Sequence, residues 1–337
     1  MKCILLILWL FVWTFLGAQP TCRLMFYNVE NLFDTTDDPL TADEEFTPQG
    51  NKYWTKARYT DKLLKLARVI AAVGENELPV FVALAEVENR RVLEDLTTKT
   101  ILSKANYAIL HQDSPDKRGI DVAFLYRKDY FHLLEVNFLQ PLFPEDTTFR
   151  TRDILYASGR LDTDTFYFFV CHFPSMSGGE QQSEWKRERA AEVVKNKVDA
   201  IWNQHPSAKI ILLGDLNGKA NTRAQKRLGA KNPEQFCGEC ELYNLGIHLL
   251  KKNIGTYRFK GRWQTIDHIL VSGGLLHNSS GWGTTSSSSI YSASFLLEED
   301  TAHFGYKPFP TYRGPRYIGG YSDHLPIFLD MIKPPQP

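Results

Sequence analysis

Seven short apolar segments, each about as long as a β-strand, constrain the fold of this 337-residue chain more than any other feature. Several are nearly continuous rather than alternating, which is typical of strands covered on both faces. They lie at residues 24–27, 80–85, 122–126, 166–171, 210–213, 266–271 and 325–329. The pattern therefore predicts sheets that carry a packed layer on each side.

Segments with helical spacing of apolar residues lie between these strands. The spacing predicts helices over residues 56–73, 92–102 and 184–202, with a short fourth over 222–228. Two further segments, residues 106–109 and 133–138, lie before and after the run at 122–126, and the three follow one another through short polar links, as antiparallel strands do. Together these features indicate an α/β (α+β) protein with mixed sheets and helices outside.

The N-terminus has the composition of a signal peptide. Lys2 supplies a positive charge, residues 4–15 are apolar, and Leu16-Gly17-Ala18 offers small residues for cleavage. We expect residues 1–18 to be removed near Ala18, which exports a single domain of residues 19–337 to the periplasm or the extracellular space. An uncleaved anchor is the alternative, although the apolar stretch is shorter than the roughly 20 residues of a membrane span. No other segment is apolar enough to span a bilayer.

Charge and cysteine content narrow the function further. The formal net charge is zero, which argues against a protein that coats nucleic acid through bulk positive potential but leaves room for a local basic patch. In an oxidising compartment, Cys237-Gly238-Glu239-Cys240 favours a small structural disulfide. A redox pair or half of a zinc site are the alternatives.

Two motifs at strand ends indicate chemistry. Gly214-Asp215-Leu216-Asn217 follows the apolar run 209–213, and Ser322-Asp323-His324 precedes the run 325–329. Two carboxylates, a carboxamide and an imidazole can together hold a hard divalent cation and transfer protons, which points to metal-assisted attack on a phosphate ester. An ordinary turn is the alternative for Asp215 and Asn217.

Two further residues need a partner to be functional. Asp267 brings a charge into a buried strand, and the imidazole of His324 is its natural partner because a carboxylate fixes the tautomer and raises the basicity of the other nitrogen. His172 ends the strand at 166–171, where a lone histidine is more often structural. Asp121 is a candidate partner that would make His172 functional.

Two early motifs offer oxygen ligands. Asn28, in Tyr27-Asn28-Val29-Glu30-Asn31, can bind a metal or a phosphate oxygen, or can belong to an asparagine-rich turn. Glu86 comes directly after the strand at 80–85, which favours it as a metal ligand. Glu88 suits the start of the following helix, or a contact behind the metal site.

In this order and at these strand ends, the motifs resemble the endonuclease/exonuclease/phosphatase superfamily, in particular its deoxyribonuclease I-like members. The resemblance extends from Asn28 to Asp330. It implies a four-layer α/β/β/α sandwich of two mixed β-sheets flanked by helices. It also implies a phosphoesterase that uses Mg²⁺ or Mn²⁺.

The resemblance also implies individual roles. Asn28, Glu86 and Asp323 match metal-site residues, and Arg152 matches a phosphate-contacting arginine of some members. Ala85 stands where the family usually has a glutamine before the metal-site glutamate, which puts the contacts behind the metal in question. The catalytic positions are His172, Asp215, Asn217, Asp267 and His324.

The sequence indicates the type of reaction more clearly than the substrate. We expect a monomeric exported endonuclease acting on nucleic acid, with a lipid-headgroup or inositol-phosphate esterase as the alternative and a non-catalytic binding module last. An exposed apolar loop, such as residues 291–297, would favour lipid. Basic residues after Asn217 either meet a nucleic-acid backbone or form a solvated helix face, and late aromatic residues either stack on bases or belong to the core. These are Lys219, Arg223, Lys226, Arg227 and Lys231, and Trp263, Tyr312, Tyr317 and Tyr321.

Overall fold

The computed structural model describes residues 21–252, 254–277 and 281–333. The expected signal peptide at residues 1–18 lies outside these ranges. Within them, no helix is both long enough and apolar enough to cross a membrane.

The described chain forms nineteen strands and six α-helices. The first nine strands are β1 (Thr21–Leu32), β2 (Phe81–Val87), β3 (Tyr107–His111), β4 (Asp121–Arg127), β5 (Phe131–Leu139), β6 (Ile154–Leu161), β7 (Asp164–His172), β8 (Lys209–Asp215) and β9 (Leu242–Asn244). The others are β10 (Tyr257–Phe259), β11 (Arg262–Gln264), β12 (Asp267–Ser272), β13 (Gly283–Thr284), β14 (Ser289–Ile290), β15 (Leu297–Glu299), β16 (Tyr306–Pro308), β17 (Tyr312–Arg313), β18 (Arg316–Tyr317) and β19 (Ile327–Ile332). The helices are α1 (Lys56–Gly74), α2 (Arg90–Thr98), α3 (Glu180–Gln204), α4 (Arg223–Arg227), α5 (Ile247–Lys251) and α6 (Gly273–Leu276).

Two large mixed sheets form the centre of the protein. The first has the order β13-β19-β1-β2-β4-β3, with β14 also paired to β19, and the second has the order β5-β6-β7-β8-β12-β9. Each sheet contains one parallel pair near its middle, β1 with β2 and β7 with β8, among antiparallel neighbours. The strands of each parallel pair therefore end at the same edge of their sheet.

Alternating residues of the central strands face different layers, which explains why the strands read as continuous apolar runs. In β2, Phe81 and Ala83 belong to the core between the two sheets, whereas Val82 and Leu84 pack against α1 and α2. In β8, Ile211 and Leu213 face the same central core, and Ile210 and Leu212 pack against α3. The arrangement confirms the predicted four-layer sandwich.

The helices begin where local chemistry supports them. The side chain of Thr55 accepts a hydrogen bond from the backbone N–H of Arg58 at the start of α1, and Asn89 does the same for Val92 at the start of α2. The expected role of Glu88 as a helix-start residue is not observed, because its carboxylate accepts the backbone N–H of Asp34 at 2.5 Å.

One strand assignment differs from the sequence prediction. The segments containing β3 and β4 pair antiparallel, as expected, but β5 leaves their sheet and pairs with β6 in the second one. Phe131, the first residue of β5, packs edge-on to Phe81 of the first sheet with ring centroids 5.2 Å apart. Short polar links indicate a chain reversal, but they carry no information about which sheet the next strand joins.

Candidate active site

Strand register brings three of the predicted residues side by side in the second sheet. His172, the last residue of β7, lies opposite Asp215, the last residue of β8. Asp215 in turn lies opposite Asp267, the first residue of the antiparallel strand β12. All three are at least 95% buried. Residues that are distant in the sequence thus occupy neighbouring positions at one sheet edge.

The first sheet supplies the opposite wall. Asn28 of β1 donates a hydrogen bond from its amide to Asp215 Oδ2 at 3.2 Å, which joins the two sheets directly. His324 lies three residues before β19, and its backbone N–H donates to Ser322 Oγ. The Ser322 hydroxyl donates to the Asn28 carbonyl at 2.7 Å, so the His324 loop is fixed to β1.

The side chains of His324 and Asp267 form a buried pair. The distance from His324 Nδ1 to Asp267 Oδ2 is 2.8 Å, and Thr256 Oγ1 donates to the same oxygen. The other ring nitrogen, Nε2, lies 3.8 Å from Asp215 Oδ2. Burial alone would lower the pKa of His324, but the carboxylates of Asp267, Asp323 and Asp215 raise it well above its ordinary value.

Asp215 is the carboxylate nearest the centre of the site. Burial, and then the negative charge of Asp267, raise its pKa to about 7. Asn217 follows in a left-handed conformation with φ of 47°, rather than on an extended strand. The backbone N–H of Asn217 donates to Asp215 Oδ1, and its amide donates to the Phe173 carbonyl at 3.0 Å. The predicted pair therefore lines the site through a turn, not through strand alternation.

His172 faces Asp215 and Glu86 instead of the expected Asp121. Its Nε2 atom lies 3.8 Å from Asp215 Oδ2 and 3.9 Å from Glu86 Oε1. Asp121 is instead near His111, with 3.8 Å between His111 Nε2 and Asp121 Oδ2, and it accepts the Ser114 N–H. The prediction that Asp121 pairs with His172 is therefore wrong, because β4 directs this carboxylate to β3. Burial, followed by the charge of Arg152, lowers the pKa of His172 well below its ordinary value.

The three expected metal ligands differ in how free their oxygens are. Glu86 occupies a bulge in β2 with φ of 65°, where one carboxylate oxygen accepts the Asn31 N–H and the other faces His172. Asp323 is partly exposed, and its Oδ1 atom lies 4.0 Å from His324 Nε2. The Asn28 oxygen accepts the Glu30 N–H, and its amide nitrogen serves Asp215, so Asn28 is the most committed of the three.

The donor chemistry fits a hard divalent cation. Carboxylate oxygens are the ligands that Mg²⁺ and Mn²⁺ prefer, and Glu86 and Asp323 supply them at the cleft. Asp215, Asp267 and His324 also offer three possible ligand atoms within 4.8 Å of one another. Asp267 and His324 already bond to each other, however, and a cation between them would have to replace that bond. We therefore favour Glu86 and Asp323.

A buried lysine side chain, which the sequence did not indicate, lies behind the candidate metal ligands. Lys62 of α1 is 1% exposed and donates to Thr311 Oγ1 at 2.5 Å and to the Tyr321 carbonyl at 2.7 Å. Burial lowers its pKa to about 8, although nearby carboxylates, Glu30 first and then Asp323, oppose the shift. A lysine inside an amphipathic helix normally indicates solvent exposure, so no sequence signal would have identified this position.

These side chains surround a cleft of about 590 Å³, which we call the catalytic cleft. Six predicted residues line it: Glu86, His172, Asp215, Asn217, Asp323 and His324. Asn28 and Asp267 lie behind them. Tyr257 and Phe259 of β10 also line the cleft, and the Tyr257 ring lies 5.0 Å from that of His324. These two aromatic residues, and not the late aromatic residues expected from the sequence, reach the site.

Arg118, and not Arg152, brings a guanidinium group to the catalytic cleft. Arg152 is buried and engaged, with Nη1 3.0 Å from Asp116 Oδ2 and Nη2 donating to the Phe173 carbonyl. Arg152 therefore does not line the catalytic cleft, and its contact with a substrate phosphate stays a prediction. Arg118 lies just before β4, which runs antiparallel to β2, so the start of β4 lies at the edge where β2 ends. That topological signal could have identified Arg118 from the sequence.

Other predicted residues have structural partners. Arg223 pairs with Glu184 and Glu188, and Lys231 with Glu241, so two of the five basic residues after Asn217 are engaged in ion pairs. Tyr312 and Tyr317 pack edge-to-face against each other beside the outer core of the first sheet. Cys237 and Cys240 are free thiols in this structure, and the sulfur of Cys240 contacts the Pro206 carbonyl. The expected disulfide is therefore not formed.

A sequence model described as the Endonuclease/Exonuclease/phosphatase family matches residues 23–333. The chain belongs to this family, which places it among hydrolases that act on phosphate esters, a class whose members use divalent metal ions. The buried cluster of acidic residues and histidine can bind such an ion.

Solved structures share the fold at low sequence identity. A humanized TDP2 from D. rerio is 14% identical with a TM-score of 0.57, covering 92% of this chain and 98% of that one. An endonuclease/exonuclease/phosphatase family protein from Bacteroides thetaiotaomicron is 16% identical with a TM-score of 0.54, covering 93% and 98%. The human Nocturnin catalytic domain with bound sulfate is 16% identical with a TM-score of 0.56, covering 94% and 95%. No curated protein sequence matches the chain.

Proposed function

We propose that this protein is a divalent-metal-dependent phosphodiesterase that cleaves nucleic acid as an exported, monomeric endonuclease. The observation that carries the proposal is the His324–Asp267 pair, whose free ring nitrogen faces Asp215 across a cleft also lined by Glu86 and Asp323. A base, a carboxylate that orients it and a set of hard oxygen ligands are what hydrolysis of a phosphate ester requires.

The geometry supports a division of labour among the residues. His324, held by Asp267, accepts a proton from the attacking water through Nε2 when its ring is neutral. The positive charge of a metal ion at Glu86 and Asp323 would favour that neutral form against the carboxylates that raise the pKa of His324. Asp215, 3.8 Å from that nitrogen, orients the same water. Glu86 and Asp323, with Asn28 beside them, would hold Mg²⁺ or Mn²⁺. The bound ion would neutralise negative charge on the phosphoryl oxygens.

His172 and Asn217 suit a different task, because both present hydrogen-bond donors. The lowered pKa of His172 means that its ring is neutral at neutral pH. A neutral imidazole donates one hydrogen bond to a phosphoryl oxygen, but it lacks the extra proton needed to protonate a leaving group. We therefore assign His172 and Asn217 to binding the phosphoryl group, with Arg118 as a third donor at the mouth of the cleft.

Two observations support nucleic acid as the substrate. Tyr257 and Phe259 provide aromatic surfaces inside the cleft, and bases stack on such surfaces without strong sequence preference. One solved structure with this fold is D. rerio TDP2 complexed with single strand DNA product, at 14% identity and a TM-score of 0.55. The formal net charge of zero is compatible with binding through a local site rather than through the whole surface.

A lipid-headgroup phosphodiesterase is the second candidate. The segment 291–297 does not support it as expected, because Phe295 packs on Tyr321 with ring centroids 5.2 Å apart. Another apolar tip does support it: Phe304 is fully exposed and Tyr306 is 62% exposed on the β15–β16 hairpin. Arg258 of β10 donates to backbone carbonyls of this hairpin, so the tip stands beside the catalytic cleft.

Hydrolysis of plasmid DNA by the purified chain from Gln19 onward tests the proposal. The assay compares Mg²⁺, Mn²⁺ and EDTA, with Asp215→Ala as the matched inactive variant. Cleavage that requires both the metal and Asp215 supports a nuclease. Metal-dependent hydrolysis of phosphocholine lipids or inositol phosphates without DNA cleavage supports the second candidate, and inactivity on all of them supports a binding module.

A further inference from the structure

A second cleft of about 380 Å³ adjoins the catalytic cleft, and we call it the side cleft. Three chain segments line it: the loop before β4, the loop before β6 and the chain from the end of β7 into α3. The two clefts share Arg118 and Ser175 as lining residues. A substrate that extends from the catalytic cleft past Arg118 therefore enters the side cleft.

The side cleft carries positive charge that the protein does not neutralise. Among the residues that the structure describes, Lys117, Arg150 and Lys186 have no carboxylate within salt-bridge distance, although all three line this cleft. Lys186 lies on α3, and other basic side chains of this helix are paired, as Lys195 is with Asp199 and Arg189 with Glu145. In a chain with zero net charge, three unpaired cations around one cleft call for an anionic ligand.

The acidic residues of the side cleft do not cancel this charge. Asp116 is buried between Arg152, at 3.0 Å, and Arg118, at 3.7 Å. Asp146 accepts hydrogen bonds from Thr148 and from the Phe149 N–H, which closes its own loop. Both carboxylates keep their negative charge, but five basic residues line the cleft against these two acidic ones, so the net formal charge of the lining is +3.

Two cationic side chains are also held in position. Arg152 is 95% buried and lines the cleft, and its Nε atom has no hydrogen-bond partner in the described part of the chain. The Lys186 ammonium lies 3.6 Å from the centroid of the Phe149 ring, which fixes its position by a cation–π contact.

We propose that the side cleft binds a second phosphate of a nucleic-acid strand whose neighbouring phosphodiester is cleaved in the catalytic cleft. This inference rests on the proposed function and makes it more specific, because it requires a substrate with at least two phosphates. Lys117, Arg150 and Lys186 neutralise the flanking phosphate, and Arg118 lies between the two positions. The side cleft is therefore a determinant of preference for strands over single esters.

The test measures kcat and KM of the full protein with Mg²⁺ on a short fluorescent oligodeoxynucleotide and on bis(p-nitrophenyl) phosphate, which carries one phosphate. In the Lys117→Ala/Lys186→Ala variant, we expect the ratio of kcat/KM for the oligonucleotide to that for the single ester to fall about tenfold, mainly through KM. The dependence of log KM on log salt concentration should also become shallower by about 0.7 for each phosphate contact removed.

Lys197→Ala is the matched control, because Lys197 lies on the same helix α3 but stacks over Tyr156, away from both clefts. The control should keep the wild-type ratio and salt dependence. Equal loss on both substrates in the double variant, or an unchanged salt dependence, would overturn the proposal. If kcat/KM of the double variant falls only for inositol bisphosphate, assayed in parallel, the nucleic-acid assignment is overturned. A wild-type protein inactive on all three substrates would refute the proposed function itself.

Discussion

Two buried histidines are neighbours of Asp267, one in sequence and one in space, and their hydrogen-bond partners differ. His268 follows it in the chain, with Nε2 2.8 Å from the Gly218 carbonyl and Nδ1 3.1 Å from the Asn244 amide. His324 is 57 residues away in sequence, yet it bonds directly to the Asp267 carboxylate. Burial lowers the pKa of His268, whereas the surrounding carboxylates raise the pKa of His324 despite similar burial.

The comparison shows that burial does not decide what a histidine does. His268 has neutral partners on both nitrogens, so its hydrogen-bonding capacity is used entirely for structure. His324 has a carboxylate on one nitrogen and a cleft on the other, so one nitrogen remains for chemistry. The two positions therefore predict opposite effects on activity and stability when each is changed.

The largest effect is expected for His324→Asn. The asparagine amide can occupy the place of Nδ1 and keep the bond to Asp267, while the nitrogen that faces Asp215 is lost. We expect kcat to fall by about 10²–10⁴-fold with a melting temperature close to wild type. Steady-state kinetics and a thermal melt measure the two quantities. Turnover near the wild-type value would remove His324 from the proposed mechanism.

The next largest effect is expected for Asp267→Asn, and it depends on pH. The Asp267 carboxylate raises the pKa of His324, so its removal lowers that pKa. A base with a lower pKa is deprotonated at a lower pH, and the acidic limb of the kcat/KM profile should move to lower pH by about one unit or more. The maximum rate should also fall, because an amide at position 267 lacks the negative charge that stabilises the protonated His324 ring. If the acidic limb of the kcat/KM profile stays at the same pH, a group other than His324 controls it.

His268→Phe should affect stability instead. The substitution leaves the Gly218 carbonyl and the Asn244 amide without their partner, and each buried unsatisfied group costs about 1–3 kcal/mol. We expect the free energy of unfolding in urea to fall by roughly 2–4 kcal/mol, while kcat per folded molecule falls less than about tenfold. A loss of activity as large as that of His324→Asn would break the distinction between the two histidines.

The smallest effect concerns the pH dependence of that stability. The folded-state pKa of His268 is lowered, so the unfolded chain binds its proton first as the pH falls below about 6.5. The contribution of His268 is therefore complete above this pH and is lost towards the folded-state pKa, by at most about 1.4 kcal/mol per pH unit. The difference between wild type and His268→Phe should shrink between pH 7.5 and pH 5.5. A constant difference would contradict the lowered pKa.

Much of the fold could be predicted from the sequence, because the spacing of apolar residues indicates which positions of a helix or strand are buried. Helix α1 begins at Lys56, as predicted, and the runs at 166–171 and 210–213 lie within β7 and β8. The sheet that β5 joins could not be predicted, because it depends on where the Phe131 side chain packs. Periodicity describes one element at a time, whereas sheet membership depends on contacts between elements.

The residues of the site could be predicted better than the contacts between them. Asp267 and His324 were paired correctly, since a charge entering a buried strand must have a partner. The contact of His172 with Asp121 was wrong, because the direction of a side chain at a sheet edge depends on register and bulges such as that at Glu86. Lys62 was missed because its burial arises from long-range packing, whereas the position of Arg118 just before β4 offered a topological signal that the motif analysis did not use.

The pairing of β1 with β19 has a consequence for when activity can begin. Arg23, Leu24 and Met25 lie opposite residues at the far end of the chain, and His324 comes just before that last strand. Any shorter fragment that stops before residue 324 lacks the proposed base, and β1 lacks its antiparallel neighbour. A working hydrolase can therefore assemble only after nearly the whole polypeptide has been synthesised.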